Sequence, residues 1–153
     1  MDGFVGVHAE LARQIIGTAM QVHSVLGCGF LEKVYERAMA IELQDRGIAS
    51  RCQVSMTVYY RGQNVGDYIA DMLVEEIVLL ELKATEKDHP AFHAQTINVV
   101  TAAQLPVALL LNFGQTRLHY RRFEPRKPGT RNRRTEELNA YDLENWGTSG
   151  EPQ

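Results

Sequence analysis

The sequence has few cysteines, no long apolar run and little net charge, and each shortage excludes a class of protein. The two cysteines, Cys28 and Cys52, lack the paired spacing of a zinc site or of a Cys-x-x-Cys redox motif, so we expect free thiols. The longest apolar stretches, such as Val107 to Leu111, fall far short of the roughly 20 residues that span a bilayer. The first residues lack the basic start and apolar run of a secretory signal. We therefore expect a cytoplasmic protein with no membrane partner.

The formal net charge of -3 would argue against a nucleic-acid partner if the charge were evenly spread. Half of the 16 Lys and Arg residues, however, fall between positions 117 and 134, whereas most acidic residues precede them. Such a basic segment is either a solvated tail or a strip that follows phosphates, and the sequence leaves both readings open. The candidate nucleic-acid-binding residues are Arg117, Arg121, Arg122, Arg126 and Lys127.

Length and composition predict one domain with one core. A chain of 153 residues with 44% apolar side chains is in the range where a single hydrophobic core forms. Apolar residues at helical spacing predict a first helix over about 7–26 and a second over about 31–45, each ended by a glycine. The residues expected to face the core from the second helix are Leu31, Val34, Ala38 and Ile41.

After Gly47 the apolar period changes to that of a strand. Val54, Met56 and Val58 alternate with polar and aromatic residues, which predicts a strand over about 54–59, followed by a turn over 61–64. The further predicted elements are strands over about 65–74 and 77–83, a helix over about 90–104, and strands over 107–112 and about 117–123.

The third strand begins with residues 77–80, which are apolar on both faces and therefore predict a central strand covered on both sides. The first two helices are expected on one face and the third helix on the other. The predicted fold class is α/β, in the order α-α-β-β-β-α-β(-β), with a mixed central sheet flanked by helices. We assign residues 1–123 to this single domain. Residues 124–153 form a polar tail, first basic and then acidic, that we expect to be flexible or packed on a partner.

Three charged residues, Asp71, Glu81 and Lys83, interrupt otherwise apolar strands. Glu81 and Lys83 are two positions apart, so they share one face of their strand. Asp71 joins them only in one of two hairpin registers. With a two-residue turn, Asp71 would face away from Glu81. With one extra residue, Val74 would pair with Val78 and Asp71 would lie opposite Glu81.

Two carboxylates facing each other across a sheet repel, so this arrangement makes sense mainly around a divalent cation. Mg²⁺ keeps several waters and commonly needs only one or two protein carboxylates, which Asp71 and Glu81 supply. A metal there would activate a water molecule for phosphodiester hydrolysis, with Lys83 orienting that water or stabilising charge. The competing reading is an ordinary salt bridge between Glu81 and Lys83 at a strand end.

The pattern of Asp71 followed by Glu81-x-Lys83, in this order of helices and strands, resembles the PD-(D/E)xK nuclease superfamily. Residues 29–36 match the Gly-x-x-Glu-x-x-Tyr signature of a small bacterial group in that superfamily, and the likeness runs from about His23 to Phe123. Other positions that resemble the group in order and spacing are His23, Leu26-Gly27, Arg61-Gly62, Gly66-x-Tyr68-x-Ala70-Asp71, Glu81-Leu82-Lys83-Ala84, His93-x-Gln95, Asn98 and Leu110-Leu111-Asn112-Phe113-Gly114. Departures from the family pattern are Cys28, Ala70 and Val99.

The resemblance implies a restriction-endonuclease-like core, Mg²⁺ or Mn²⁺ as cofactor, and two further site residues, Glu32 and Gln95. Glu32 would assist Asp71 and Glu81 in metal or water binding, although a glutamate in the first turn of a helix is also favoured by the helix dipole alone. We expect Gln95 to share a face with Phe92 and Val99 as a buried amide that needs partners, either at the site or within the core.

The sequence therefore predicts a metal-dependent nuclease that hydrolyses phosphodiester bonds of nucleic acid, with DNA favoured over RNA. The alternative is a catalytically inactive nuclease fold that serves as a nucleic-acid or protein interaction module through its basic segment. A homodimer in which each subunit cuts one strand stays open. No finger, helix-turn-helix or aromatic stacking platform that would read bases stands out in the sequence.

Overall fold

The computed structural model describes residue 6 and residues 8–128. Most of the expected tail, residues 129–153, lies outside this part, and with it Arg131, Arg133 and Arg134 of the basic segment. The elements are α1 (Ala9–Leu26), α2 (Glu32–Asp45), β1 (Ser50–Tyr60), β2 (Gln63–Val74), β3 (Val78–Lys83), α3 (Pro90–Ala102), β4 (Val107–Asn112) and β5 (His119–Phe123). This confirms the predicted α/β class and element order. In the described part, no helix combines the length and the apolar character that a membrane span requires.

The five strands form one sheet in the order β1-β2-β3-β4-β5. Neighbouring strands are antiparallel except β3 and β4, which are parallel and are connected through α3. A parallel connection needs a crossover of a dozen or more residues, and α3 supplies it. The sheet is therefore mixed, as predicted, and the carboxyl ends of β3 and β4 lie side by side with Lys83 paired to Asn112.

Helices cover both faces of β3. Leu80 and Leu82 pack in the larger core cluster with α1 and α2, whereas Leu79 belongs to a smaller cluster with Val99 and Val100 of α3. The burial of consecutive residues of β3 explains why its sequence is almost continuously apolar. The predicted placement of two helices on one face and one on the other is confirmed.

The predicted core-facing side of α2 was wrong. Leu31 and Ile41 are 80% and 62% exposed, and the helix instead buries Tyr35, Met39 and Leu43. Each residue advances a helix by about 100°, and these three positions, four apart, lie about a third of a turn from the predicted stripe. The larger side chains fill the core, and the side of α2 that faces the sheet is the side that carries Glu32.

Tyr35 connects α2 to the end of α1 and to the loop after β4. Its hydroxyl donates to the carbonyl of Gly27 at 2.7 Å, and its ring stacks on Phe113 with centroids 4.6 Å apart. His23 belongs to the same cluster, because its Nε2 donates to the carbonyl of Gln115 at 2.8 Å. The Tyr of the Gly-x-x-Glu-x-x-Tyr stretch is therefore structural: it locks the end of α1 against the loop after β4.

The loop after β4 fastens the end of β3. The side-chain Oδ1 of Asn112 accepts from the backbone N–H groups of Thr85 at 3.1 Å and Gly114 at 3.0 Å, and the N–H of Phe113 donates to the carbonyl of Lys83 at 2.8 Å. Gly114 lies so close to this backbone that a Cβ would be 2.3 Å from the nitrogen of Thr85. Only glycine fits there, and β4 with the loop after it holds the backbone of Lys83.

We predict that Gly114→Ala destabilises the fold by about 2–4 kcal/mol, since the added methyl group would force apart two backbone segments. Gly17→Ala is the matched control, because a Cβ at Gly17 in α1 would meet only the end of the Arg46 side chain at 3.6 Å. Alanine in a helix interior is favoured over glycine by about 1 kcal/mol, so this control should be neutral or stabilising. Urea unfolding measures both, and equal stability of the two variants would contradict the close-packing argument.

Candidate active site

The connection between β2 and β3 sets the register of the site. Val74 pairs with Val78, and Met72 pairs with Leu80. The N–H of Ile77 donates to the carbonyl of Val74 at 3.0 Å, so a two-residue turn is followed by one extra residue, Ile77. This is the second of the two predicted registers, in which Asp71 is level with Glu81.

Asp71 lies where β2 and β3 part. The β2–β3 ladder ends at the pair Met72–Leu80, whereas β3 continues to pair with β4 as far as Lys83. Ala70 and Met72 belong to different core clusters although they are two residues apart, so the alternation of side chains breaks at Asp71. Its Oδ2 accepts from the N–H of Leu82 at 2.7 Å. This bond holds the carboxylate against β3 at the point of divergence.

Glu81 is the buried acid of the site, with 4% of its surface exposed. The Tyr68 hydroxyl donates to its Oε2 at 3.4 Å, whereas its buried Oε1 has no hydrogen-bond partner among the described residues. Burial, and secondarily the charge of Asp71, raises the pKa of Glu81 to about 8, although Lys83 acts in the opposite direction. Burial and the nearby Glu81 also raise the pKa of Tyr68. A buried oxygen without a hydrogen-bond partner among the described residues, on an acid that ionises only reluctantly, is suited to a neighbouring cation.

Lys83 ends β3 beside these carboxylates. Its ammonium nitrogen is 4.7 Å from the ring centroid of Phe92 on α3, a distance that gives a cation–π contact. Its backbone is fixed by pairing with Asn112 and by the bond from Phe113. The ammonium is the cation that lowers the pKa values of Glu81 and Asp71, so the structure brings the three predicted residues into one electrostatic cluster.

Glu32 joins the edge of this cluster from α2. Partial burial raises the pKa of its carboxyl; Lys83 lowers it and Asp71 raises it further. Partial burial likewise raises the pKa of Asp71, against the hydrogen bond from Leu82. In all three carboxyl groups, Glu32, Asp71 and Glu81, burial is the largest cause of the raised pKa, and neighbouring carboxylates add to it.

Glu36 is a site residue that the sequence interpretation did not assign. It is buried one turn after Glu32; its carboxylate accepts from Gln53 at 2.9 Å and from Lys33 at 3.3 Å, and its charge raises the pKa of Asp71. Glu32 and Glu36 are four apart and share a side of α2. That spacing was visible in the sequence, but the side of the helix that faces the sheet was not.

Gln95 does not have the predicted burial. It is exposed on α3, where the buried positions are Thr96, Val99 and Val100. Phe92, one turn earlier on α3, is the residue that lies over the ammonium group of Lys83. The helix turns its small and branched residues to the sheet, which leaves the longer polar amide to solvent.

The predicted basic residues do not form one strip. Arg121 and Arg122 are consecutive on β5 and therefore lie on opposite faces of the sheet. Arg121 donates to Nδ1 of His93 at 2.9 Å, Arg122 pairs with Glu124 at 3.1 Å, and Arg126 donates to Asn98. Arg117 and Lys127 are exposed. The basic segment thus divides between the two faces, and part of its charge is bound within the domain.

The carboxylates of the site suit a divalent ion that keeps most of its own waters. Among the described residues, no group of three or more His, Cys, Asp and Glu is arranged to hold a metal, so Glu32 does not complete a three-carboxylate cage with Asp71 and Glu81. A hard cation with its own waters needs only one or two carboxylates. The unpartnered Oε1 of Glu81 beside Asp71 therefore fits such an ion.

We predict that Glu81→Gln changes how the stability of the metal-free protein depends on pH. With a folded-state pKa of about 8 against an ordinary value of 4.5, Glu81 loses its proton more readily in the unfolded chain. Its contribution to stability is present below about pH 4.5 and is lost as the pH rises to about 8, by up to roughly 1.4 kcal/mol per pH unit.

Glu81→Gln should therefore become increasingly more stable than wild type between pH 5 and 8 in urea unfolding with a chelator. The exposed Glu86→Gln is the control, and parallel pH curves for wild type and Glu81→Gln would refute the buried-acid assignment.

Comparison with known proteins agrees with this geometry. The model of the PD-(D/E)XK nuclease superfamily matches residues 9–123. No curated protein matches the chain. A solved structure titled "Crystal structure of SSO0001" is 12% identical, with a TM-score of 0.51 over 95% of this chain and 71% of that chain, a likeness that supports the fold alone. The assignment to the Gly-x-x-Glu-x-x-Tyr group stays a prediction. The chain belongs to the PD-(D/E)XK nuclease superfamily.

Proposed function

We propose that the chain is a divalent-metal-dependent nuclease that hydrolyses phosphodiester bonds of nucleic acid. The observation that carries this proposal is the buried Oε1 of Glu81, which has no hydrogen-bond partner among residues 8–128. It lies next to Asp71, with the ammonium group of Lys83 at the end of the same strand. Proteins of this superfamily generally use divalent metals. A site rich in carboxylates and short of cations is consistent with that chemistry.

Asp71 and Glu81 are the residues that would hold Mg²⁺ or Mn²⁺. The ion, when bound, supplies a polarised phosphoryl oxygen and a water of lowered pKa. The bond from the N–H of Leu82 keeps Asp71 in place before any ligand arrives, and burial keeps bulk water from Glu81. Such preorganisation means that little of the binding energy is consumed in ordering the carboxylates.

Lys83 acts at the reacting phosphate in this proposal. The Phe92 ring restrains the ammonium group, and the fastened backbone fixes where its side chain begins. From there it can donate a hydrogen bond to the attacking water or stabilise the negative charge that develops on the phosphate. Glu32, at the exposed edge of the cluster, is placed to orient a water molecule. Glu36 accepts a hydrogen bond from Gln53 of β1, which holds this side of α2 against the sheet.

DNA is the substrate that we favour, and the exposed cations Arg117, Arg121 and Lys127 remain candidates for phosphate contacts. Gln95 is a further candidate, now as an exposed amide that donates to a phosphate rather than as a buried one.

We predict that the purified chain cleaves DNA in the presence of Mn²⁺ or Mg²⁺ and that Lys83→Ala lowers the rate at least about a hundredfold, as loss of a charge-stabilising group at a reacting centre does. Single- and double-stranded DNA and RNA are incubated with each metal and with a chelator, and products are resolved by electrophoresis. Lys87→Ala is the matched control, because Lys87 is an exposed lysine four residues later. Absence of cleavage by wild type on every substrate, with salt-sensitive binding retained in Asp71→Asn, would establish the interaction module in place of the nuclease.

We also predict that Mn²⁺ stabilises wild type but not Glu81→Gln. Binding to the folded state alone adds about 2.7 kcal/mol at a free metal concentration of 100 times Kd. Thermal unfolding is followed with and without metal, and Glu86→Gln should keep the full shift. An equal shift in Glu81→Gln would place the metal elsewhere.

A further inference from the structure

The β1–β2 hairpin extends beyond the rest of the sheet at the end where the carboxylates lie. β3 ends at Lys83, which is level with Ile69 in the register set by Met72 and Leu80. Residues 63–68 of β2 and their partners on β1 therefore lie past the end of β3, over about 20 Å at 3.3–3.4 Å per residue. We call this projecting part, residues 56–68, the arm.

The tip of the arm exposes aromatic rings and a guanidinium group. Tyr59 and Tyr60 are 67% and 62% exposed, and the guanidinium carbon of Arg61 is 5.3 Å from the ring centroid of Tyr60. Arg61 and Gly62 both have positive φ, as in a type I′ turn, so the tip is a tight, defined turn and not a loose loop. Aromatic rings with a nearby cation are the groups that bind unpaired bases by stacking.

The two tyrosines lie on opposite faces of the arm, because consecutive strand residues alternate. Met56 and Tyr68 pair across the strands and pack against the α3-side cluster. The extra residue of the bulge near the tip, Val65, belongs to β2, so β1 keeps its alternation and Tyr60 shares the face of Met56. Tyr60 and Tyr68 are thus on the same face, and the Tyr68 hydroxyl donates to Glu81.

Between these two rings the face is open. Gly66 lies opposite Val58, and a Cβ built on it would meet no atom within 4 Å. The single acidic side chain of this part of the arm, Asp67, lies on the other face, bonded to the Thr57 hydroxyl at 3.0 Å. A track without acidic side chains, with Tyr60 and Arg61 at its outer end and Tyr68 at its inner end, therefore leads to Glu81.

We propose that this face of the arm binds single-stranded nucleic acid, with a base stacked on Tyr60 beside Arg61 and the strand running past Tyr68 to the carboxylates. The proposal rests on the nuclease function proposed above, and it adds the class of substrate that the site receives. Unpaired bases expose their ring faces to a tyrosine, whereas bases in a duplex are already stacked on each other. At the roughly 3.4 Å per nucleotide of one stacked strand, a span of about 20 Å accommodates about six nucleotides, within the roughly 4–16 that single-strand-binding sites cover.

The test compares the two neighbouring tyrosines. A fluorescent 20-nucleotide poly-dT strand is titrated with the full chain in a chelator, so that no cleavage occurs, and binding is followed by anisotropy. Tyr60→Ala should weaken binding about tenfold, Tyr60→Phe should retain it because the ring is kept, and Tyr59→Ala, the matched variant on the opposite face, should change it less than twofold. A 20-base-pair duplex should bind Tyr60→Ala and wild type alike.

Equal poly-dT affinities of Tyr60→Ala and wild type, or absence of poly-dT binding by wild type, would overturn the proposal. It would also fail if Tyr60→Ala weakened duplex binding as much, or if size-exclusion chromatography showed the wild type to be a dimer that Tyr60→Ala dissociates, since the arm would then bind protein. Hydrolysis of bis(p-nitrophenyl) phosphate with Mn²⁺ separates the two proposals. This small diester is too short to extend from the carboxylates to Tyr60, so its hydrolysis by Tyr60→Ala should be unchanged. If the wild type hydrolyses no substrate but its binding of single strands depends on Tyr60, the proposed nuclease activity is refuted and the proposed binding of single strands by the arm is upheld.

Discussion

The extra residue between β2 and β3 is the constraint on which the site depends. Ile77 follows a tight turn formed by Glu75 and Glu76, both at positive φ, and its insertion makes Val74 pair with Val78. Without it, every side chain of β2 would change face relative to β3, because the period of a strand is two. Asp71 would then be separated from Glu81 by the thickness of the sheet. The chemistry of the cluster is thus decided several residues away, in a turn that contains no site residue.

This register brings carboxylates close enough to repel each other, and hydrogen bonds from neighbouring residues offset that repulsion by holding each acid in place. Leu82 donates to Asp71, Tyr68 to Glu81, and Gln53 with Lys33 to Glu36. Each of these bonds stabilises one carboxylate, and the burial of Glu81 keeps that acid largely protonated near neutral pH in the absence of a cation. Exchange of that proton for a metal ion would make affinity for the ion rise with pH, as for any ligand that must first be deprotonated.

The sequence predicted the class, order and approximate bounds of the elements because apolar periodicity is a local property. Glu81 and Lys83 share a face by spacing alone. Asp71 stood out as a charge in an apolar strand, with its register left open, and the resemblance to the family added Glu32 and Gln95. The errors arose where tertiary packing decides. Leu31 and Ile41 have the spacing of a core stripe, yet the bulk of Tyr35 and Met39 turns α2 to another side. That rotation buries Glu36. The exposure of Gln95 likewise depends on which side of α3 faces the sheet, and the projecting arm depends on where β3 ends. One sequence does not encode either in any short window.

The bond from Phe113 to Lys83 has a consequence for the order in which the protein assembles. Phe113 lies thirty residues after Lys83 along the chain, and the two meet only when β4 has docked parallel to β3. Contacts between residues so far apart in sequence form late, because the long crossover must first be ordered at a cost in chain entropy. During synthesis, all four acids of the cluster emerge well before the segment that fastens β3. In a partly made chain the β2–β3 hairpin can already set Asp71 level with Glu81, but the backbone of Lys83 is fastened only when β4 and the loop after it have been made.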